Sequence, residues 1–154
     1  MTSGLFANQR EVNLTSTIAM IEDVLVELGY FLNQCRDDRD GAIRSWRIKH
    51  GSAHVRISLI AADEFTHLRI EAPVMTIAAE TDNGLFRRLL EINMGLCGAA
   101  FGVRGDRVEI VAERSSLDLD RSEVMEIVAR VQGYADQHDD ALVGEFGGAL
   151  ATDV

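Results

Sequence analysis

The feature that most constrains this chain is a change in its apolar period. Between Trp46 and Ala72 hydrophobic residues recur at every second position: Trp46 and Ile48, then Val55, Ile57 and Leu59, then Leu68, Ile70 and Ala72. Arg47, Lys49, His54, Arg56, Ser58, His67, Arg69 and Glu71 fill the alternate places. A strand turns successive side chains to opposite faces, so the segment reads as three strands with one apolar and one polar face. The connections His50 to Ala53 and Ala62 to Glu64 are too short for a crossover, which makes the three strands an antiparallel meander. Pro73 has no N–H to give to a ladder and is expected to close the third strand or place it at an edge.

On both sides of this block the period is helical. Leu14, Ile18, Ile21, Leu25 and Leu28 recur every three or four residues from Asn13 to Tyr30, with Asn13 placed to cap the first turn and Gly29 near the end. A second helix is expected from an Asp82 cap to about Met94, with Phe86, Leu89, Leu90 and Asn93 facing one way, and Gly95 and Gly98 stopping it. Ala99 to Val103 and Arg107 to Glu113 form a hairpin around Arg104-Gly105-Asp106, with Phe101, Val103, Val108, Ile110 and Ala112 on its apolar side. In a last helix Asp120 and Glu123 make a capping box, and Val124, Ile127, Val128, Val131, Tyr134 and Ala135 point inward. The expected fold is α+β, in the order α-β-β-β-α-β-β-α: an antiparallel five-stranded sheet with helices packed on one face.

A chain of 154 residues that is 47% hydrophobic sustains one core. The domain is expected to span residues 13–143, with residues 1–12 disordered or loosely attached and the glycine-bearing stretch 144–154 a flexible tail. No apolar run reaches the roughly 18 residues of a membrane span, and the first ten residues lack the basic start and apolar run of a secretory signal, so a cytoplasmic location is expected. Cys35 and Cys97 lack metal-site spacing and read as reduced thiols. The net charge of −10 is uneven: residues before Asp63 include seven acids and seven bases, those from Asp63 onward eighteen and eight. Such a field repels phosphate backbones and anionic headgroups, which argues against nucleic acid or membrane as partner.

Motifs that carry chemistry elsewhere have simpler readings here. His50-x-x-x-His54 has the spacing of two metal ligands on a helix, but Gly51 and Ser52 place it in a hairpin. Arg104-Gly105-Asp106 is what a tight turn requires. Neither cysteine has a histidine within ten residues, which leaves a thiol- or histidine-based enzyme or ligand-binding domain as a minor alternative. Asp37-Asp38 and Asp139-Asp140 lie in polar stretches and read as solvated. No catalytic residue, metal or cofactor is indicated. On the polar sheet face Arg47, Lys49, Arg56 and Arg69 stand against one acid, Glu71. That strip reads equally as a solvated face that prevents aggregation and as a surface for an acidic segment of a partner. The uncharged run Ala72 to Ala79 reads as buried.

Leu89-Leu90-x-x-Asn93-x-x-Leu96, followed by Phe101, a Gly-Asp hairpin, and a long acidic helix ending in Asp139-Asp140 and Phe146-Gly147-Gly148, resembles the YbjN family of bacterial sensory transduction regulators. Those proteins are similar in fold to class I type III secretion chaperones. The resemblance spans roughly Leu14 to Phe146 and implies a small homodimer that holds protein partners without chemistry. By that resemblance Phe86, Leu89, Leu90, Asn93, Ala99 and Phe101 lie near the dimer contact. Trp46, Ile48 and the outer face of the first strand, with Arg47, Lys49, Arg56 and Arg69, become candidates for client contact. A dedicated type III secretion chaperone with one effector is the alternative within the same class.

Overall fold

The alternating block folds as the meander its spacing requires. The structure is a computed structural model and describes residues 3–50, 53–62, 65–81 and 83–151. A long helix α1 (Ser3–Glu27) and a single turn α2 (Leu32–Cys35) lead into β1 (Arg36–Asp37), and the meander follows as β2 (Ala42–His50), β3 (Ala53–Ala62) and β4 (Phe65–Thr76). Helix α3 (Asn83–Asn93), the hairpin β5 (Ala100–Arg104) and β6 (Arg107–Ser115), helix α4 (Arg121–Phe146) and a two-residue strand β7 (Ala149–Leu150) complete it. The sheet order is β1-β2-β3-β4-β6-β5, antiparallel throughout, with β7 added to β4.

Register aligns the apolar positions across strands. Trp46 stands opposite Ile57, Ile57 opposite Ile70, and Ile70 opposite Ala112, so one face carries the hydrophobic residues of every central strand. Helix α4 lies across β3, β4 and β6 on that face, α1 packs on α4, and α3 packs on β5. Val124, Val128, Val131, Ala135 and Leu142 of α4 meet Ile21, Val24 and Leu25 of α1 and the inner sheet face in one buried cluster. The capping box holds as the sequence predicts: the Asp120 carboxylate accepts from the Glu123 N–H at 2.9 Å, and Glu123 accepts from the Asp120 N–H at 3.0 Å. The Ser122 hydroxyl and that Glu123 N–H hold the Asp120 carboxyl below its ordinary range.

Several expected boundaries move. The first helix begins at Ser3, so Asn13 lies inside it and does not cap it. Its end is as expected, with Gly29 at a φ of 89°. The expected cap Asp82 lies outside the described residues. Among the described residues the sheet has seven strands where five are expected, because β1 and β7 are two residues long and too short for any period to register. Pro73 does not end its strand: β4 runs on to Thr76, with a register shift against β6 between Pro73 and Met75. The stretch from Gly144 forms the last turn of α4 and then β7. The apolar run is buried over its first half only: Ala72, Pro73, Val74 and Met75 are buried, Thr76 to Ala78 are half-buried and Ala79 is exposed.

Candidate functional site

Two surfaces carry the residues singled out by the sequence. The first is made by α3 and β5. Leu85 and Leu89, four apart, are buried. Phe86, Leu90 and Met94 repeat the same spacing one position on, which turns them away from the core, and they are 39%, 68% and 89% exposed. Val103 of β5, the strand on which α3 packs, is 45% exposed. Strand β5 is the sheet edge, and one side chain guards it: Asn93 Oδ1 accepts from the Phe101 N–H at 2.7 Å while Asn93 Nδ2 donates to the Phe101 carbonyl at 3.2 Å. The amide thereby takes the place of a neighbouring strand at one residue. Of the six residues grouped as a contact surface, Phe86 and Leu90 are on the outside and Ala99 is half-buried. Leu89 and Phe101 belong to the core, and Asn93 clamps the edge.

The second surface is the outer, polar face of the sheet. It is an ion-pair network and not a free basic strip. Arg47 and Arg56 both donate to the Asp37 carboxylate, at 3.0 and 2.8 Å. Arg69 donates to Glu113 at 2.7 Å. Glu71 is 1% exposed and is held by Arg39 from the β1–β2 loop and by Arg104 from β5, the latter at 2.7 Å; Arg104 also lies 3.5 Å from Glu109. A carboxylate this deep persists as an anion only when its oxygens are paired, and two guanidinium groups do that here. Burial, reinforced by Arg104, Arg56 and Arg69, lowers the pKa of Arg39 from its ordinary value, and Glu109 opposes the shift. Within the three-strand block alone, Glu71 is the one acid on this face. Asp37, Glu109 and Glu113 arrive from β1 and β6, and the alternation of β6 was the signal: if Val108, Ile110 and Ala112 face in, Glu109 and Glu113 face out.

Trp46 and Ile48 do not belong to that outer face. Both are buried under the helices, at 0% and 2% exposure, with the Trp46 indole N–H 3.4 Å from Glu22 of α1, so neither is available to a client. Lys49 is exposed near the end of β2, opposite His54. His50 and His54 lie in two different strands, which removes the helical geometry that gives their spacing meaning. Cys35 is buried and Cys97 exposed, and the Cys97 N–H donates to the Tyr134 hydroxyl at 3.1 Å. A cleft of 310 Å³ between β6 and α4 is lined by Arg114, Glu123, Glu126 and Arg130, which pair among themselves; neither cysteine nor any histidine lines it. Among the described residues no group of three or more His, Cys, Asp and Glu is arranged to hold a metal, and no helix is long and apolar enough to cross a membrane.

A family profile described as "T3SS (YopN, CesT) and YbjN peptide-binding chaperone 1" matches residues 15–154. The chain belongs to this family. Solved structures agree on the fold. The ExsC–ExsE complex contains a chain of 20% identity that aligns over 64% of this chain and 76% of its own, with a TM-score of 0.52. An uncharacterized protein from Methanothermobacter thermautotrophicus aligns over 84% and 97% at 13% identity and a TM-score of 0.62. The HopA1–SchA chaperone–effector complex aligns over 84% and 97% at 11% identity and a TM-score of 0.59. No curated protein matches in sequence. The type III secretion chaperone-like fold implied by the YbjN resemblance is therefore the fold of the chain.

Proposed function

We propose that this chain is a non-catalytic peptide-binding chaperone or adaptor that works as a homodimer, with the α3–β5 surface joining the two copies. The observation that carries the dimer is the row Phe86, Leu90 and Met94 together with Val103: an apolar surface with buried neighbours and a guarded strand edge, which a second copy related by a two-fold axis would cover. Membership of a peptide-binding chaperone family over residues 15–154 supports the client role. On the polar face, Lys49 and the exposed sides of Arg47 and Arg69 are what an acidic client side chain can reach, whereas Arg56 is committed to Asp37.

A dedicated type III secretion chaperone with a single effector is the second reading, favoured by the family description. Affinity capture of the tagged chain from its native host tests the first reading. A recovered protein whose protected segment is extended supports it; recovery of no stoichiometric partner contradicts it. A single dominant client whose export fails when this chain is deleted would select the second reading. A pocket-based enzyme would need turnover abolished by one point change, such as Cys97→Ser.

A further inference from the structure

The sheet opens at one end, and a segment of the chain sits in the opening. Pairing between β3 and β4 stops at Arg56 and Glu71, although β4 continues to Thr76. Pro73, two residues beyond, has no N–H to offer a neighbour. On its other side β4 remains paired with β6 from His67 to Thr76. The far part of β4 therefore has an edge that the meander leaves vacant, floored by Val74 and Met75, which are 1% and 0% exposed. β7 occupies that edge: Leu150 stands opposite Met75, Ala149 opposite Thr76, and the Ala151 N–H donates to the Val74 carbonyl at 3.2 Å.

Little holds β7 there. Two residues make the pairing and both are exposed, Leu150 at 45%. A strand so short adds little stability of its own. The route onto the edge is built from glycine: Gly147 and Gly148 have φ of 73° and 88°, and a Cβ on Gly148 would run into the Thr76 carbonyl oxygen. The occupant is uncharged throughout and small except at Leu150: Gly147-Gly148-Ala149-Leu150-Ala151.

We propose that the β4 edge from Val74 to Thr76 is an acceptor site for an extended, uncharged segment, and that β7 is a resident occupant which a client segment replaces. Edge addition is a general mode of peptide recognition, in which main-chain hydrogen bonds supply affinity and alternate side chains supply selectivity. The client step rests on the peptide-binding reading above. The resident segment defines the chemistry the edge accepts: a small residue where the approach is closest to Thr76, then apolar or small side chains over Met75 and Val74. While β7 is docked, the apparent affinity for a competing segment is reduced by the fraction of time the edge is free.

The test uses a fluorescein-labelled peptide of residues 145–151 as probe, with the intact chain, a variant ending at Phe146, and Gly148→Val. Both variants should bind the peptide at least about tenfold more tightly than the intact chain, since each removes the resident competitor. Equal binding by all three, or binding by none, overturns the proposal. Amide exchange on the intact chain gives a readout that does not depend on either variant folding. The Ala151 amide should exchange at least about tenfold faster than the amides of the β4–β6 ladder, and protection equal to that ladder overturns a replaceable role. Because the probe is the chain's own segment, the result is readable whether or not foreign clients are found. Clients held equally well by the intact chain and by Gly148→Val would overturn replacement and leave the chaperone reading standing.

Discussion

Leu90→Ala tests the proposed subunit contact separately from the fold. Leu90 is 68% exposed, while Leu89 beside it is 4% exposed. Fully burying a leucine is worth about 2 kcal/mol, so covering the exposed two-thirds of Leu90 contributes about 1.4 kcal/mol per copy. A two-fold contact places the residue in the interface twice, which makes the loss about 3 kcal/mol per dimer and weakens dimerisation roughly 100-fold. The fold of each copy should change by no more than about 0.5 kcal/mol, since the side chain is exposed in the monomer. Leu89→Ala reverses the pattern and should destabilise the fold by about 2–5 kcal/mol. Sedimentation equilibrium over a micromolar concentration series, with urea unfolding of the monomeric variant, reads both quantities. An unaltered chain that sediments as a 16.9 kDa monomer throughout, or a Leu90→Ala variant with an unchanged dimer constant, rules out this contact.

Three further outcomes follow from the same geometry. Glu71→Ala leaves the Arg39 guanidinium without its buried partner and should lower unfolding free energy by about 3 kcal/mol in urea titrations, whereas Lys49→Ala should stay within about 0.5 kcal/mol. Trp46→Ala should cost about 3–5 kcal/mol, because the side chain is buried in the core and is not a client contact. His138 packs edge-on against Phe101 with ring centroids 5.5 Å apart, and burial together with Arg88 lowers its pKa below the ordinary 6.5. The unfolded chain then binds the proton first, so the stability that His138 supports is complete above pH 6.5 and falls as pH drops through 6.5 towards the lower folded value. His138→Gln should flatten that part of a stability-versus-pH profile measured by thermal unfolding; an unchanged slope contradicts the assignment.

What was readable in the sequence was whatever repeats. The strict alternation of β2, β3 and β4, the Gly105-Asp106 turn and the Asp120–Glu123 cap each state their geometry locally, and each is found where it was expected. The ends of elements were less visible. Helix α1 extends over Ser3 to Val12 without the spacing used to define the helix, and a two-residue strand such as β1 has no period at all. The polar face was misjudged because its charge balance depends on which strands become neighbours. Asp37 comes from the short β1 and Glu109 and Glu113 from the second hairpin, so they neutralise Arg47, Arg56, Arg69 and Arg104 only after the sheet order β1-β2-β3-β4-β6-β5 is set. The α3 face was half legible. Its stripe is plain in the spacing, but which of Phe86, Leu89 and Leu90 points outward depends on how α3 packs over β5, which no periodicity reports.

The proposed function requires that this chain hold an extended segment of another protein and leave it chemically unaltered. Hydrogen exchange read by mass spectrometry on a captured client, free and bound, measures both parts in one sample. A continuous client segment should be protected only in the complex, with the client's intact mass the same before and after incubation. A client with no protected segment, or with a covalent mass change that depends on this chain, would contradict it.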